Sequence, residues 1–233
     1  MSGYLFPPPA LPAAPIRGRD VLLPLHRIFC VGRNYEAHAR EMGSTADRAA
    51  PFYFTKSACV YTPSGATVPY APGTSNLQHE IELVAVIGTA GFQISQADAL
   101  QHVFGYACGF DMTRRDLQEA AKNQQRPWDL GKNFEHSAVL SEIVAAHDCG
   151  HIVAGEIGLR LNGVVKQLAD VSTMVHPVAA LVSDLSRYYH LQAGDLIYTG
   201  TPAGVGPVQP GDCIEGWVAG VGTVTLNIGR MPG

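Results

Sequence analysis

Residues 79–83 read His-Glu-Ile-Glu-Leu, and a run of apolar residues follows them directly. Successive side chains of a β-strand point to opposite faces, so Glu80 and Glu82 share one face, which the following valines continue. Carboxylates at the start of an apolar face are costly to bury unless a positive charge lies between them. A hard divalent cation is the simplest such partner, because these ions prefer carboxylate oxygens. The alternative is a solvated strand end with two surface carboxylates.

The composition indicates a globular protein with one large domain or two small ones. The 233 residues suffice for a full hydrophobic core, with 46% hydrophobic and 15% charged residues. The formal net charge of -4 leaves no basic footprint, which argues against nucleic acid as a main partner. No apolar stretch approaches the ~20 residues that span a bilayer, and residues 1–15 lack the pattern of a secretion signal. We therefore expect no membrane partner.

The five cysteines are scattered along the chain and form no Cys-x-x-Cys pair. This pattern disfavours both a zinc site and a disulfide framework. A reducing cytoplasm is the expected location, since thiols stay reduced there.

The N-terminal residues 1–24 contain six prolines and are expected to form an extended arm, followed by one domain over residues 25–233. Strand-like segments outnumber long helical ones, which predicts a β-rich α+β fold. Asn162-Gly163 lies between two strand-like runs and predicts a hairpin. Strands are expected at residues 28–31, 66–70, 80–88, 105–111, 156–161, 164–168, 196–198 and 223–228. Helices are expected at residues 34–42 (with Asn34 as the cap), 95–103, 113–124 and 176–190, and the glycines between 200 and 220 are interpreted as turns.

Asp111 is a candidate third acidic ligand, because it lies where an apolar strand ends and a helix is expected to begin. Three carboxylates would form an oxygen-only site that suits Mg²⁺ or Mn²⁺ better than Zn²⁺. Asp111 could instead cap the following helix. His38 and Glu41 are three apart on a predicted helix, so their side chains can meet, and a carboxylate beside an imidazole makes a better general base. A solvated helix face is the alternative for this pair.

Three further features could contact a substrate. Arg115 and Gln118 are three apart on the helix after Asp111, and arginine suits a carboxylate through paired hydrogen bonds. Lys132 lies among aromatic and glycine residues and could be partly buried. The glycine-rich segment 199–206 permits close backbone approach to a ligand, but it lacks the Gly-Lys-Ser/Thr ending of a phosphate loop. Surface helices and an ordinary turn are the alternatives for these features.

These segments occur together and in order, and together they resemble the fumarylacetoacetate hydrolase family. Residues 28–42 are similar to its lid signature, and residues 79–83 to its metal motif. Residues 105–118 are similar to the segment with its third ligand, and residues 199–207 to its glycine-rich substrate loop. The resemblance covers roughly residues 26–228.

The resemblance implies a roll of mixed β-sheets with short peripheral helices, a homodimer, and a bound Mg²⁺ or Mn²⁺. It implies Glu80, Glu82 and Asp111 as the metal ligands. The catalytic residues implied are His38 and Glu41, which activate water on a segment that orders over the substrate, and Lys132, which stabilises an oxyanion. The implied substrate-binding residues are Arg33, Arg115, Gln118 and Thr201.

Segments 51–56 and 72–76 are most similar to those of bacterial acylpyruvate hydrolases, among them the group that acts on fumarylpyruvate in gentisate breakdown. The resemblance therefore implies an enzyme that hydrolyses a C–C bond of a 2,4-dioxo acid, with cleavage of fumarylpyruvate to fumarate and pyruvate as the expected reaction. Hydrolysis of another acylpyruvate is an alternative. Decarboxylation of oxaloacetate is an alternative, because it passes through the same pyruvate enolate. Isomerases and hydratases of homoprotocatechuate breakdown share this fold, so the fold alone does not decide. A non-catalytic binder of dicarboxylates is the alternative from another class.

Overall fold

A computed structural model describes residues 3–230 of the chain. Residues 1–2 of the predicted arm and residues 231–233 of the predicted domain lie outside this range. No helix in the described range is both long and apolar enough to cross a lipid bilayer.

The described residues form many strands and few, short helices. The strands are β1 (Ala13–Pro15), β2 (Leu22–Pro24), β3 (Ile28–Gly32), β4 (Phe52–Lys56), β5 (Tyr61–Pro63), β6 (Ala66–Pro69), β7 (Leu77–His79), β8 (Ile81–Ile87), β9 (Val103–Asp111), β10 (Thr113–Arg114), β11 (Ala138–Leu140), β12 (Val144–Ala145), β13 (Glu156–Leu161), β14 (Val164–Asp170), β15 (Leu196–Tyr198), β16 (Gly206–Pro207), β17 (Cys213–Val218) and β18 (Gly222–Gly229). The α-helices are α1 (Glu36–Glu41), α2 (Arg115–Asn123), α3 (Asp129–Lys132), α4 (Ala146–Cys149) and α5 (Val178–Leu185).

Two mixed sheets make up most of the molecule. An eight-stranded sheet has the order β4-β3-β15-β8-β9-β11-β5, with β12 paired to β9. A five-stranded sheet has the order β14-β13-β17-β18-β6. Each sheet combines antiparallel pairs with parallel ones, such as β3 with β15 and β6 with β18. The predicted β-rich α+β fold with mixed sheets and short helices is therefore confirmed.

Strand β8 lies in the middle of the larger sheet and is buried on both faces. Ile81 and Leu83 pack into one hydrophobic cluster, and Val84 and Val86 pack into a second one on the opposite face. A strand covered on both sides reads as a continuous apolar run, which explains the sequence after residue 83. The acidic residues at the start of this strand are therefore held inside the molecule.

Strand β17 was not predicted, because its glycine was grouped with the turn glycines. A Cβ atom on Gly216 would lie 2.5 Å from Ile81 Cδ1 and 2.7 Å from a ring carbon of Phe110. Both of those side chains are fully buried in the larger sheet. The interpretation as a turn is wrong here, since this glycine lets the two sheets approach closely.

The predicted hairpin at Asn162-Gly163 is confirmed, and both residues have positive φ, 52° and 79°. This backbone is typical of a two-residue hairpin turn. Two predicted helices are shorter in the structure. The segment 176–190 is helical only over Val178–Leu185, and the segment 95–103 forms a 3₁₀ turn at Ala99–His102.

The proline-rich N-terminal residues contain a small hairpin. Strands β1 and β2 pair antiparallel, and Ile16 forms a bridge with Ile143 of the larger body. Ala14 is fully buried there. Residues 3–12 form no strand or helix, and their apolar side chains at Tyr4 and Leu5 are exposed.

Candidate active site

Three buried carboxylates converge beside the ends of β8 and β9. Glu80 directly precedes β8, Glu82 lies on it, and Asp111 is the last residue of β9. These strands are antiparallel neighbours, so the start of one adjoins the end of the other, and Asp111 N–H donates to the Glu80 carbonyl at 2.9 Å. One oxygen from each carboxylate lies within 4.8 Å of the others. Glu80, Glu82 and Asp111 are 4%, 1% and 0% exposed, respectively. The alternative of surface carboxylates at a solvated strand end is therefore wrong.

Three cationic side chains surround these acids. The ammonium of Lys132 donates to Glu80 and Asp111, each at 2.8 Å. A guanidinium nitrogen of Arg115 donates to the other oxygen of Glu80. Lys56 Nζ lies 2.8 Å from Asp111 Oδ1, an ion-pair distance, although its hydrogen bonds go to backbone carbonyls, including that of Lys132. The formal charges of three acids and three cations therefore balance.

The three acids are not equivalent in their electrostatics. Burial opposes ionisation of Glu80, but Lys132 and Arg115 outweigh it and hold the pKa of Glu80 well below its usual range. Burial together with the charges of Asp111 and Glu80 raises the pKa of Glu82 well above its usual range. Glu82 is therefore the carboxylate that most needs an additional positive charge.

The donor set fits a hard divalent cation. It consists of carboxylate oxygens, which Mg²⁺ and Mn²⁺ prefer. In residues 3–230, the buried oxygen Asp111 Oδ1 accepts no hydrogen bond. Asp111 also does not cap the following helix, because α2 begins at Arg115 and the residue before it forms no side-chain cap.

The predicted pair on the lid helix is in contact. His38 Nδ1 lies 3.2 Å from Glu41 Oε2, and both residues belong to α1. Glu41 also accepts a hydrogen bond from Gly204 N–H at 3.0 Å, which links this helix to the glycine-rich loop. Burial lowers the pKa of His38 below its ordinary value of 6.5. At neutral pH the imidazole is therefore uncharged and able to accept a proton.

Asn34 has a different role from the predicted helix cap. Helix α1 begins after Tyr35, which forms no side-chain cap. The amide of Asn34 instead donates to the carbonyls of His176 and Thr199 at 2.9 and 2.8 Å and accepts from His176 N–H at 2.8 Å. The prediction is wrong because this fully buried amide finds tertiary partners, which hold the start of the lid against two distant segments.

Arg115 is largely occupied by contacts within the protein. Besides Glu80, its guanidinium donates to Gln118 at 2.6 Å and to Gln78 at 2.8 Å. Thr201 donates its hydroxyl to the Ile81 carbonyl at 2.8 Å. Arg115 and Gln118 therefore face the acidic cluster, and Arg115 orients Glu80.

A cavity of about 250 Å³ brings the predicted residues together. All of them except Glu41 line it, and Glu41 lies behind His38. The lining residues from the prediction are Arg33, His38, Glu80, Glu82, Asp111, Arg115, Gln118, Lys132 and Thr201. The remaining walls include Phe54, Trp128 and Lys122, which the prediction did not include.

The sequence interpretation missed two buried polar residues beside the site. Lys56 is the last residue of β4 and is 3% exposed. The residues beside it in the sequence gave no indication that it contacts Asp111. Gln167 on β14 is fully buried, donates to Thr201 at 2.9 Å and accepts from Ile81 N–H at 3.2 Å. The strand β14 is mostly exposed, and Gln167 is a polar residue within it. Its polar character at this position was the only sign of its role.

The chain is similar in sequence to known proteins over most of its length. A fumarylpyruvate hydrolase of Ralstonia sp is 49% identical over 191 residues, which cover 81% of this chain and 98% of the relative. The mitochondrial oxaloacetate tautomerase FAHD1 of Mus musculus is 38% identical over 203 residues, covering 87% and 91% of the two chains.

A solved structure has nearly the same fold. The crystal structure of fumarylpyruvate hydrolase from Pseudomonas aeruginosa in complex with Mn²⁺ and pyruvate has a TM-score of 0.94 and 42% identity. The match covers 98% of this chain and all of that chain. The family model of the fumarylacetoacetate hydrolase C-terminal domain matches residues 27–228. The chain therefore belongs to the fumarylacetoacetate hydrolase family.

Proposed function

We propose that this protein is a metal-dependent hydrolase that cleaves the C–C bond of a 2,4-dioxo acid, with fumarylpyruvate as substrate and fumarate and pyruvate as products. The observation that carries the proposal is that His38, paired with Glu41 behind it, lines the same cavity as the three carboxylates. The fumarylpyruvate hydrolase activity for which the 49% identical relative and the protein of the similar crystal structure are named supports the choice of substrate.

Glu80, Glu82 and Asp111 would hold the metal ion. The relative's Mn²⁺ supports Mn²⁺ or Mg²⁺, and both ions suit an oxygen-only donor set. When bound, the ion supplies Lewis-acid polarisation of the 2-oxo acid. Lys132 and Arg115 keep the ligating carboxylates charged and fixed in direction.

His38 is the general base in this proposal. Its Nδ1 faces Glu41, so Nε2 is the nitrogen available to remove a proton from water. The hydroxide formed attacks the C4 carbonyl of the substrate. Breakage of the C3–C4 bond releases fumarate and leaves the pyruvate enolate, and the proton held by His38 then returns to C3. The uncharged state of buried His38 suits it to start this sequence.

Lys132 is the oxyanion donor in this proposal. Its ammonium is buried beside the cavity, where a charge developing on the C4 oxygen is poorly screened by water. Asp111 and Glu80 outweigh the effect of burial and raise the pKa of Lys132, so it keeps its proton. The ammonium donates to Glu80, Asp111 and Thr113, so it would exchange one of these three hydrogen bonds for one to the tetrahedral oxyanion, which its charge stabilises.

Oxaloacetate is the second candidate substrate. The observation that favours it is the 38% identical relative named as an oxaloacetate tautomerase. Tautomerisation and decarboxylation of oxaloacetate need proton transfer but no attack by water. The His38–Glu41 pair therefore favours hydrolysis over decarboxylation, whereas tautomerisation would use the same pair for its proton transfer.

The test compares kcat/KM of the purified protein with Mg²⁺ for fumarylpyruvate, acetylpyruvate and oxaloacetate, since this ratio measures discrimination. We expect the highest value for fumarylpyruvate and a loss of 10²-fold or more in His38→Ala. Arg40→Ala is the matched control, because Arg40 lies on the same helix and is exposed. Preferred turnover of oxaloacetate would support the second candidate instead.

We also propose a homodimer in the cytoplasm, with residues 1–24 as an N-terminal arm whose strand β1 packs against the catalytic domain. The exposed Tyr4, Leu5, Phe6 and Leu11 support a role of the arm in subunit contact. The five free cysteines support a reducing location. Sedimentation equilibrium of the full chain and of a chain lacking residues 1–12 tests the arm's contribution to the dimer.

A further inference from the structure

The proposed substrate has a carboxylate at each end, and the cations around the three acids are already paired within the protein. Lys132 uses its ammonium protons on Glu80, Asp111 and a threonine hydroxyl. Arg115 shares its guanidinium among three side chains of the protein. A carboxylate on the acyl group therefore needs a receptor elsewhere in the cavity.

Two further cationic side chains line the cavity and are supplied by different elements. Arg33 lies in the turn between β3 and α1, and Lys122 lies in the last turn of α2. Both also line an adjoining cavity of about 710 Å³, so they stand where the two spaces meet. Neither side chain forms an ion pair or a hydrogen bond with another residue in the described part of the chain.

The backbone at Arg33 supports a constrained role for this residue. Its φ is 59°, in the left-handed region that non-glycine residues rarely adopt. Strained backbone of this kind persists where the surroundings hold it, often at ligand sites. Here the next residue, Asn34, is fully buried and anchored by three hydrogen bonds. The half-buried Arg33 is therefore held at the cavity wall.

Aromatic side chains line the same two cavities as this pair of cations. Phe54 and Trp128 line both cavities, with ring centroids 5.9 Å apart. Flat apolar walls suit a planar, conjugated acyl chain better than a flexible one. Glu119 also lines the cavity and carries a negative charge. It lies on α2, three residues before Lys122. The net charge of Arg33, Lys122 and Glu119 is positive.

We infer that Arg33 and Lys122 form the subsite for the distal carboxylate of the acyl group and select dicarboxylic 2,4-dioxo acids over those with an uncharged acyl end. Arg33 can bind the carboxylate through two parallel hydrogen bonds, and Lys122 adds a mobile charge. The inference rests on the proposed function and names which substrates that same site prefers.

The experiment measures kcat/KM for fumarylpyruvate and for acetylpyruvate, whose acyl end is a methyl group. The variants are Arg33→Gln and Lys122→Gln, which remove the charge at similar length. We expect each variant to lower the ratio of the two kcat/KM values at least about tenfold, chiefly through KM for fumarylpyruvate. Lys122→Arg keeps the positive charge, so its ratio should equal that of the unchanged protein. Inhibition by fumarate should weaken in both glutamine variants.

Lys166→Gln is the control for loss of one positive charge, because Lys166 lies on β14 and lines neither cavity. The ratio of kcat/KM for fumarylpyruvate to that for acetylpyruvate in Lys166→Gln should stay within about twofold of the ratio in the unchanged protein. Equal losses for both substrates in Arg33→Gln and Lys122→Gln would overturn the subsite. Equal kcat/KM for both substrates in the unchanged protein would also overturn it while leaving the hydrolase function intact. Failure to hydrolyse either substrate would remove both proposals.

Discussion

At the scale of single residues, the carboxylate of Glu82 differs from its two neighbours in its partners. Glu80 and Asp111 each lie against ammonium or guanidinium groups. In the described part of the chain, Glu82 accepts a hydrogen bond from Gly200 N–H at 2.8 Å and from no side chain. Burial and the charges of Asp111 and Glu80 raise its pKa, and the more distant charge of Lys132 does not offset them. The energetic consequence of neutralising each acid should therefore differ.

Glu82→Gln should weaken Mg²⁺ binding at least about tenfold while leaving the apoprotein as stable as before, because no buried cation loses its partner. Glu80→Gln should also weaken binding but lower the free energy of unfolding by about 3–5 kcal/mol, since Lys132 and Arg115 would lose a buried counter-charge. Titration calorimetry and urea denaturation in EDTA measure the two effects. An unchanged Mg²⁺ titration in Glu82→Gln would refute its assignment as a ligand.

The pH dependence of catalysis should report the protonation of His38. The neutral imidazole is the active form, and burial lowers its pKa, so kcat/KM should decline only below about pH 6.5. Glu41 opposes the effect of burial and raises this pKa. Glu41→Gln should therefore move the acid limb to lower pH and reduce the plateau of kcat/KM. A shift of the limb to higher pH would contradict the assignment.

At the scale of elements, the lid helix α1 owes its position to contacts at both of its ends. Asn34 ties its start to segments around His176 and Thr199, and Glu41 ties its end to Gly204. A six-residue helix is too short to be stable alone. The geometry of the His38–Glu41 pair therefore depends on these tertiary hydrogen bonds.

Asn34→Ala should lower the free energy of unfolding by about 2 kcal/mol or more, because it leaves buried backbone groups without partners. Hydrogen exchange of residues 35–44 should accelerate, and KM should rise. Ser44→Ala is the control within the same segment, since its hydroxyl makes one hydrogen bond of 3.2 Å to the Ala39 carbonyl. Exchange rates in Asn34→Ala that match those of Ser44→Ala would show that the lid is held in another way.

At the scale of the whole molecule, the site lies where strands of the larger sheet end beside the glycine-rich loop and α2. The acids come from β8 and β9, the cations from β4, α2 and α3, and the base from α1. A metal ion that bridges the acids should therefore stabilise the fold as a whole. At free Mg²⁺ a hundred times its Kd, the free energy of unfolding should rise by about 2.7 kcal/mol.

Thermal unfolding with increasing Mg²⁺ measures this stabilisation. Addition of EDTA should reverse it, and Glu82→Gln should abolish most of it. Ca²⁺, which takes more oxygen ligands at longer distances, should raise Tm less at equal concentration. The same Tm gain in the unchanged protein and in Glu82→Gln would place the ion elsewhere.

Several features could be predicted from the sequence because they depend on neighbours along the chain. The alternation on β8, the Asn162-Gly163 turn and the three-residue spacing of His38 and Glu41 are local patterns with known geometry. The family resemblance added Arg33 and Thr201, and both line the cavity. These patterns identified the chemistry of the site and the type of fold.

The tertiary structure alone decided which distant residues meet that chemistry. Lys56 lies 55 positions from Asp111 and reaches it only because their strands belong to the same sheet. Gln167 and Gly216 are buried only because the second sheet packs over the first. A sequence pattern shows which face of a strand is buried but not which strand lies beside it. The amino-acid sequence therefore determined the acids and the base, and strand pairing decided the cations that hold them.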